Sequence, residues 1–242
     1  MPDRVTTPIP SGVTNALIGT ALETYIGMDP STVHQYFNDF DVYAAADWTI
    51  TNTSTHATNG LVAGNGGILS MANSSTSADL DQLTLTVATF AFTPGLQAWF
   101  KARFQVSNAT NSGLAIGLQE LNTTAFAATD GVWFQKSEAS TTLNALVAAS
   151  STTTTSSWSL TMANTTYVDV GFYYDGGLSG VLQLYANGNP VGSVVTTNLP
   201  ASSTNLALTI ALENGTAAAN TLLVDYVMVG VERESPSQIL GS

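Results

Sequence analysis

Leu96-Gln97-Ala98-Trp99-Phe100-Lys101-Ala102-Arg103-Phe104-Gln105-Val106 decides how this chain is read. Successive side chains of an extended backbone point to opposite faces. Ala98, Phe100, Ala102, Phe104 and Val106 therefore share one side, and Gln97, Trp99, Lys101, Arg103 and Gln105 the other. That period of two predicts a strand with one buried and one polar face. Trp99 is the exception on the polar face, which makes it the candidate for an exposed aromatic platform.

The same reading extends along the chain in both directions. Gly113 to Leu121, Gly131 to Lys136 and Thr142 to Val147 predict further strands between Ser/Thr/Asn/Asp turns. Tyr167 to Tyr174 runs into Asp175-Gly176-Gly177. Val181 to Tyr185 and Val191 to Val195 flank Ala186-Asn187-Gly188-Asn189-Pro190. Asn-Gly between apolar runs signals a hairpin, because both residues tolerate positive φ. Leu206 to Leu212 and Thr221 to Val231 add two more strands, and the low-complexity run Ser150 to Ser157 is expected to be an exposed turn. Strands about 8–12 residues apart with no helices between them point to a sandwich or jelly roll rather than βαβ units. The expected fold is all-β: a two-sheet antiparallel β-sandwich.

Residues 1–36 read differently. Pro2, Pro8, Pro10 and Pro30 punctuate them, and Ala16 to Leu22 is apolar enough for a turn or two of helix that would need a surface to pack on. The expected organisation is an N-terminal arm at 1–36, a sandwich at 37–233 and a tail at 234–242. Val13, Leu17, Ile18, Leu22, Tyr25 and Ile26 are the arm's candidate contact residues.

Composition narrows the function classes. The 242 residues include five Lys/Arg against 17 Asp/Glu, for a formal charge of −12, and no cysteine. Nucleic-acid affinity comes largely from Lys/Arg neutralising phosphates, so a nucleic-acid partner is excluded, and anionic membranes are disfavoured for the same reason. No apolar stretch reaches the roughly 20 residues of a membrane helix, and the first residues lack the pattern of a signal peptide. Six Asn-x-Ser/Thr sequons are what chance gives in a chain so rich in these residues.

Catalytic constellations are sparse. The pairs Asp39/Asp41, Asp79/Asp81 and Glu232/Glu234 are spaced to share a strand face, but none belongs to a three-acid motif such as Glu-x-Asp-x-x-Glu. The two histidines, His34 and His56, have no Gly-x-Ser-x-Gly elbow to serve. Gly64-Asn65-Gly66-Gly67 lacks the lysine of a phosphate-binding loop. Asp79, Asp81 and Asn73 offer hard oxygens of the kind calcium takes, without a ligand-loop consensus. The reading is therefore a non-enzyme with no catalytic residues, no cofactor and no metal. Trp48, Trp99, Trp133 and Trp158 have the ring faces that stack on sugars, although aromatic residues in strands more often fill cores or interfaces.

Two resemblances follow. Tyr167 to Val195, with the closing strand Val224-Asp225-Tyr226-Val227-Met228-Val229, resembles the laminin-G/concanavalin-A-like jelly roll. Tyr36-Phe37-Asn38-Asp39-Phe40-Asp41-Val42-Tyr43 with Ala46-Asp47-Trp48-Thr49-Ile50 resembles a family of tailed-bacteriophage virion proteins. So do Ala98 to Phe104, Gly117-Leu118-Gln119, Thr129 to Phe134 and Gly171 to Gly176, so the likeness spans residues 36–233. It implies a head decoration, or cement, protein on the outer surface of the phage capsid. The partners it implies are the major capsid protein and two further copies of this chain, as a homotrimer. A carbohydrate-binding module of a virion or cell surface is the alternative.

Overall fold

Alternation of apolar and polar side chains is carried out strand by strand in the computed structural model, which describes residues 33–54, 58–64 and 66–233. The strands are β1 (Val33–Asn38), β2 (Trp48–Asn52), β3 (Thr58–Gly64), β4 (Gly66–Ala72), β5 (Leu80–Leu85), β6 (Ala98–Val106), β7 (Ser112–Gln119) and β8 (Gly131–Lys136). They continue as β9 (Thr142–Ala149), β10 (Thr152–Thr161), β11 (Val168–Tyr174), β12 (Val181–Ala186), β13 (Asn189–Val195), β14 (Ala207–Asn214) and β15 (Thr221–Glu232). Among the described residues the only helical segments are two single 3-10 turns, Ala45–Asp47 and Ala125–Ala127.

Two sheets form, antiparallel throughout. The first runs β13-β12-β11-β6-β15-β4-β3, with β1 also on β15; the second runs β10-β9-β8-β7-β14-β5-β2. At 12 residues, β15 is long enough for two strands to share one of its edges. Thr221 to Val224 pair with β4, and Val227 to Glu232 pair with β1. A bulge against β6 between Val224 and Tyr226 marks the handover, where the extra residue adds local twist.

The core lies between the sheets. On β6, Ala98, Phe100, Ala102, Phe104 and Val106 all point inward, as the alternation requires. Phe100 stacks on Phe172 of β11 with ring centroids 5.4 Å apart, and Phe134 of β8 closes the group from the opposite sheet at 6.2 Å and 6.5 Å. Offset rings at these spacings add to the stabilisation of the area they bury.

Two boundaries differ from the sequence reading. The run from Ser150 is a turn only at Ser150 and Ser151, whose φ values are 49° and 66°. From Thr152 it becomes edge strand β10, paired to β9 with an irregularity between Thr155 and Ser159. β-Branched threonine favours extended backbone, which low complexity alone does not reveal. The division expected between residues 36 and 37 also falls inside β1, where Tyr36 pairs with Val229. The candidate arm contacts Val13, Leu17, Ile18, Leu22, Tyr25 and Ile26 lie outside the described residues, as does the tail from 234.

Candidate functional site

The outer face of the first sheet carries the polar half of β6. Trp99 stands there opposite Tyr173 of β11 on one side and Gly230 of β15 on the other. Glycine is required beneath it, since a β-carbon at Gly230 would lie 2.2 Å from the indole. The indole is 0% exposed, so Trp99 is not the exposed platform expected from its strand position. It joins an apolar cluster with Val33, Tyr185 and Met228, flanked by Tyr173.

The remaining polar groups of this face neutralise one another. Lys101 Nζ lies 3.4 Å from Asp169, which also accepts a hydrogen bond from the Tyr226 hydroxyl. Burial, reinforced by the Asp169 charge and that hydrogen bond, pushes the Tyr226 hydroxyl pKa up and keeps it protonated. Arg103 pairs with Asp225 and lies 4.4 Å over the Tyr167 ring.

Beside this network a concavity of about 310 Å³ opens between Tyr173, Asp175, Ser179, Val181, Gln183 and Tyr185. Its rim is built by the Asp175-Gly176-Gly177 turn. Asp175 accepts from the Gly177 and Ser179 amides at 3.1 Å and 3.0 Å, while Gly176 and Gly177 take φ of 79° and 91°. A β-carbon on Gly176 would meet the Gly95 backbone at 2.9 Å, so the turn closes only with glycine there. Gln183 is held by its amide nitrogen, which donates 2.6 Å to the Gly192 carbonyl. Burial raises the Tyr185 hydroxyl pKa, keeping it neutral and able both to donate and to accept. Leu178, 89% exposed, lies in the chain between Gly177 and Ser179. Two tyrosine side chains beside hydroxyl, amide and carboxylate groups make a lining suited to a sugar ring.

A second concavity of about 270 Å³, lined by Thr49, Thr84, Thr86, Leu121, Asn122 and Thr123, lies on the outer face of the second sheet. There the segment containing the 3-10 turn Ala125–Ala127 is pinned down by Gln82, which donates 2.8 Å to the Asn122 carbonyl and accepts 3.0 Å from the Ala125 amide. Ala125 and Ala128 of this segment bury Ala115, Trp133, Ala148 and Ala211 beneath them.

Asp39 and Asp41 lie near one another, burial and then the Asp41 charge raising the Asp39 carboxyl pKa, and the Asp79 charge likewise adds to the rise at Asp81. Asp79 accepts from Thr53 at 3.2 Å and from the Ser74 amide at 2.7 Å, which ties down the turn before β5. Asp81 faces the interior, Glu232 accepts 2.8 Å from the Gln97 amide, and Glu234 lies outside the described residues. Asn73 spends its amide nitrogen on the Asp79 and Leu212 carbonyls. His34 bonds Thr89 at 3.0 Å, and His56 lies outside the described residues. Sequence reasoning missed one acid pair: burial raises the Glu213 carboxyl pKa, and Glu138 reinforces the shift. The two are 75 positions apart in the chain, and only the β14–β7–β8 pairing makes them neighbours.

No protein-family model matches the chain, and no curated protein matches its sequence. Solved structures do match. A protein of unknown function from Shewanella oneidensis MR-1 superposes with a TM-score of 0.59 at 13% identity, over 92% of this chain and 100% of that one. The carbohydrate recognition domain of Emp47p gives 0.59 at 12% identity, over 86% and 100%. An endo-beta-1,4-glucuronan lyase from the fungus Trichoderma reesei gives 0.56 at 11% identity, over 82% and 95%. These likenesses establish the fold, a concanavalin-A-like jelly-roll sandwich found in carbohydrate-recognition domains and in glycan-active enzymes alike.

Proposed function

We propose that this chain is a non-catalytic glycan-binding module whose saccharide subsite is the Tyr173/Tyr185 concavity. The observation that carries the reading is the lining itself: two tyrosines, Gln183 and Ser179 around about 310 Å³. A sandwich shared with carbohydrate-recognition domains supports it. Binding is favoured over cleavage because Asp79, Asp169, Asp175, Asp225 and Glu232 all accept structural bonds or ion pairs. A glycan array followed by calorimetry tests this. Tyr185→Ala should weaken the best glycan at least tenfold, a loss of about 1.4 kcal/mol, with the fold intact. Unchanged affinity would reject the subsite. Release of reducing ends from the bound glycan, lost in Glu213→Gln, would instead make the chain an enzyme.

A second reading places the module on a virion, as a decoration protein on the outer surface of a tailed-phage head. The segments resembling phage virion proteins, Tyr36 to Tyr43 and Ala98 to Phe104 among them, favour it. Bound only to the mature shell, such a protein would stabilise that shell by mass action, about 4 kcal/mol per site at 1,000-fold excess over Kd. Gold-labelled antibody on source particles separates the two placements: regular label over the head supports decoration, and label confined to the tail supports a receptor- or glycan-binding role.

A further inference from the structure

Every basic residue in the described part of the chain is committed away from the end of the sandwich formed by β3 and β5. Lys101 and Arg103 pair on the outer face of the first sheet, and Arg233 lies beside His34. Lys136 donates to the carbonyls of Ser112, Ser137 and Ser140. Yet Asp81 lies on the inward side of β5, in line with Leu83, and is 0% exposed. One carboxylate oxygen accepts from Asn59 Nδ2 at 3.1 Å, and the other, Oδ2, has no hydrogen-bond partner. Asn59 Oδ1 sits on the same carbon as that donor and is likewise buried without a partner. So is the Tyr43 hydroxyl, which lies close enough for the Asp81 charge to oppose its ionisation. Asp81 Oδ2, Asn59 Oδ1 and the Tyr43 hydroxyl are thus three buried oxygens without partners, from three parts of the chain, and no basic side chain among the described residues neutralises the carboxylate.

We propose that this nest between the sheets binds a single alkali-metal cation, sodium or potassium, through Asp81 Oδ2, Asn59 Oδ1 and the Tyr43 hydroxyl. Isolated buried charge is costly, and a counter-ion relieves it where a neutral donor only softens it. A water molecule would fill the orphan valences but leave the charge. A divalent ion fits poorly. Calcium sites commonly draw on several carboxylates. Here Asp79 has spent both of its oxygens, and the described residues hold no cluster of three acids or histidines. One carboxylate with one univalent ion is neutral. A chain of formal charge −12 also concentrates cations around itself.

The test is thermal unfolding of the full chain at pH 8, with sodium, potassium or choline chloride at one ionic strength. Choline matches the charge but is too large for the nest. The midpoint should rise by about 3 °C in sodium or potassium relative to choline, and the rise should saturate with concentration. Asp81→Asn should abolish the difference and melt above the wild type in choline. Tyr43→Phe, which keeps the charge and the packing, should shift saturation to higher salt by at least threefold. The sodium-23 NMR line should broaden with wild-type protein and not with Asp81→Asn. Equal midpoints in all three salts, or an alkali effect that survives in Asp81→Asn, would overturn the site. If Asp81→Asn does not fold, an unshifted saturation point in Tyr43→Phe does so.

Discussion

A carboxylate with no exposure and one amide donor ionises at a cost that depends on pH. Burial, opposed by the Asn59 hydrogen bond and reinforced by the Asp79 charge, raises the Asp81 pKa from 3.8 to about 6. Below about pH 4 the group holds its proton in the folded and unfolded chains alike, and nothing is lost. Between pH 4 and 6 the unfolded chain ionises while the folded one does not, so stability falls as pH rises. Above 6 the loss is complete, about 3 kcal/mol by the size of the shift. This is opposite in sign to the usual ion-paired aspartate. In alkali-free choline buffer, the stability advantage of Asp81→Asn over wild type should therefore grow from near zero at pH 4 to its full value by pH 7, read from urea midpoints. An advantage that stays constant across this range would mean that the carboxyl is not buried in solution. None of this was legible in the sequence. Asp79 and Asp81 looked like one pair on one face, whereas Asp79 lies in the turn and only Asp81 enters the strand and turns inward.

At the scale of strands, the sequence carried most of the fold, because alternation is a local property. β6 places each side chain on the face its position dictates, and Gly131–Lys136 forms β8 with the expected bounds. What alternation cannot supply is the identity of the strand next door. Trp99 reads as exposed from its own strand, and it is buried because Gly230, 131 positions later, pairs with it and leaves room for the indole. The dependence is testable. Gly230→Ala puts a methyl 2.2 Å from the ring, so one of the two must shift. The expected cost is about 1–3 kcal/mol, as for other overpacked sites. In a Trp99→Ala background the same substitution should cost almost nothing, so a double-mutant cycle from denaturant midpoints should yield a coupling of at least 1 kcal/mol. Additive costs would mean that the indole does not lie over Gly230. The Tyr173/Tyr185 concavity was hidden for a related reason. Tyr173, Gln183 and Tyr185 read as strand residues, and only the β11–β12 pairing and the glycine turn gather them around one space.

At the scale of the whole molecule, the pairing of Val33 with Glu232 brings the two ends of the described chain to one corner of the first sheet. Tyr174 and Val231 both pair with Ala98, so that corner is the same end of the sheet as the saccharide concavity. A flank joined at residue 33 is thus tethered beside the proposed binding face. This geometry fixes where an arm should be cut. Removal through residue 36 would strip Val33, His34, Gln35 and Tyr36 from their register with β15 and take Val33 out of the Trp99 cluster. Removal through residue 32 leaves both sheets and all 15 described strands in place. A chain beginning at Val33 should therefore unfold in one cooperative transition within about 5 °C of the full chain, whereas one beginning at Phe37 should melt well below it, since 1 kcal/mol moves a chain of this size by about 2–4 °C. The two cuts also separate folding from assembly. If residues 1–32, with Leu17, Ile18 and Leu22, clasp neighbouring capsid subunits, the chain beginning at Val33 should keep its glycan affinity and stop sedimenting with phage heads. Sedimentation undiminished at equal protein concentration would move any capsid contact onto the sandwich itself, and loss of glycan affinity in the same chain would mean that the flank completes the saccharide site.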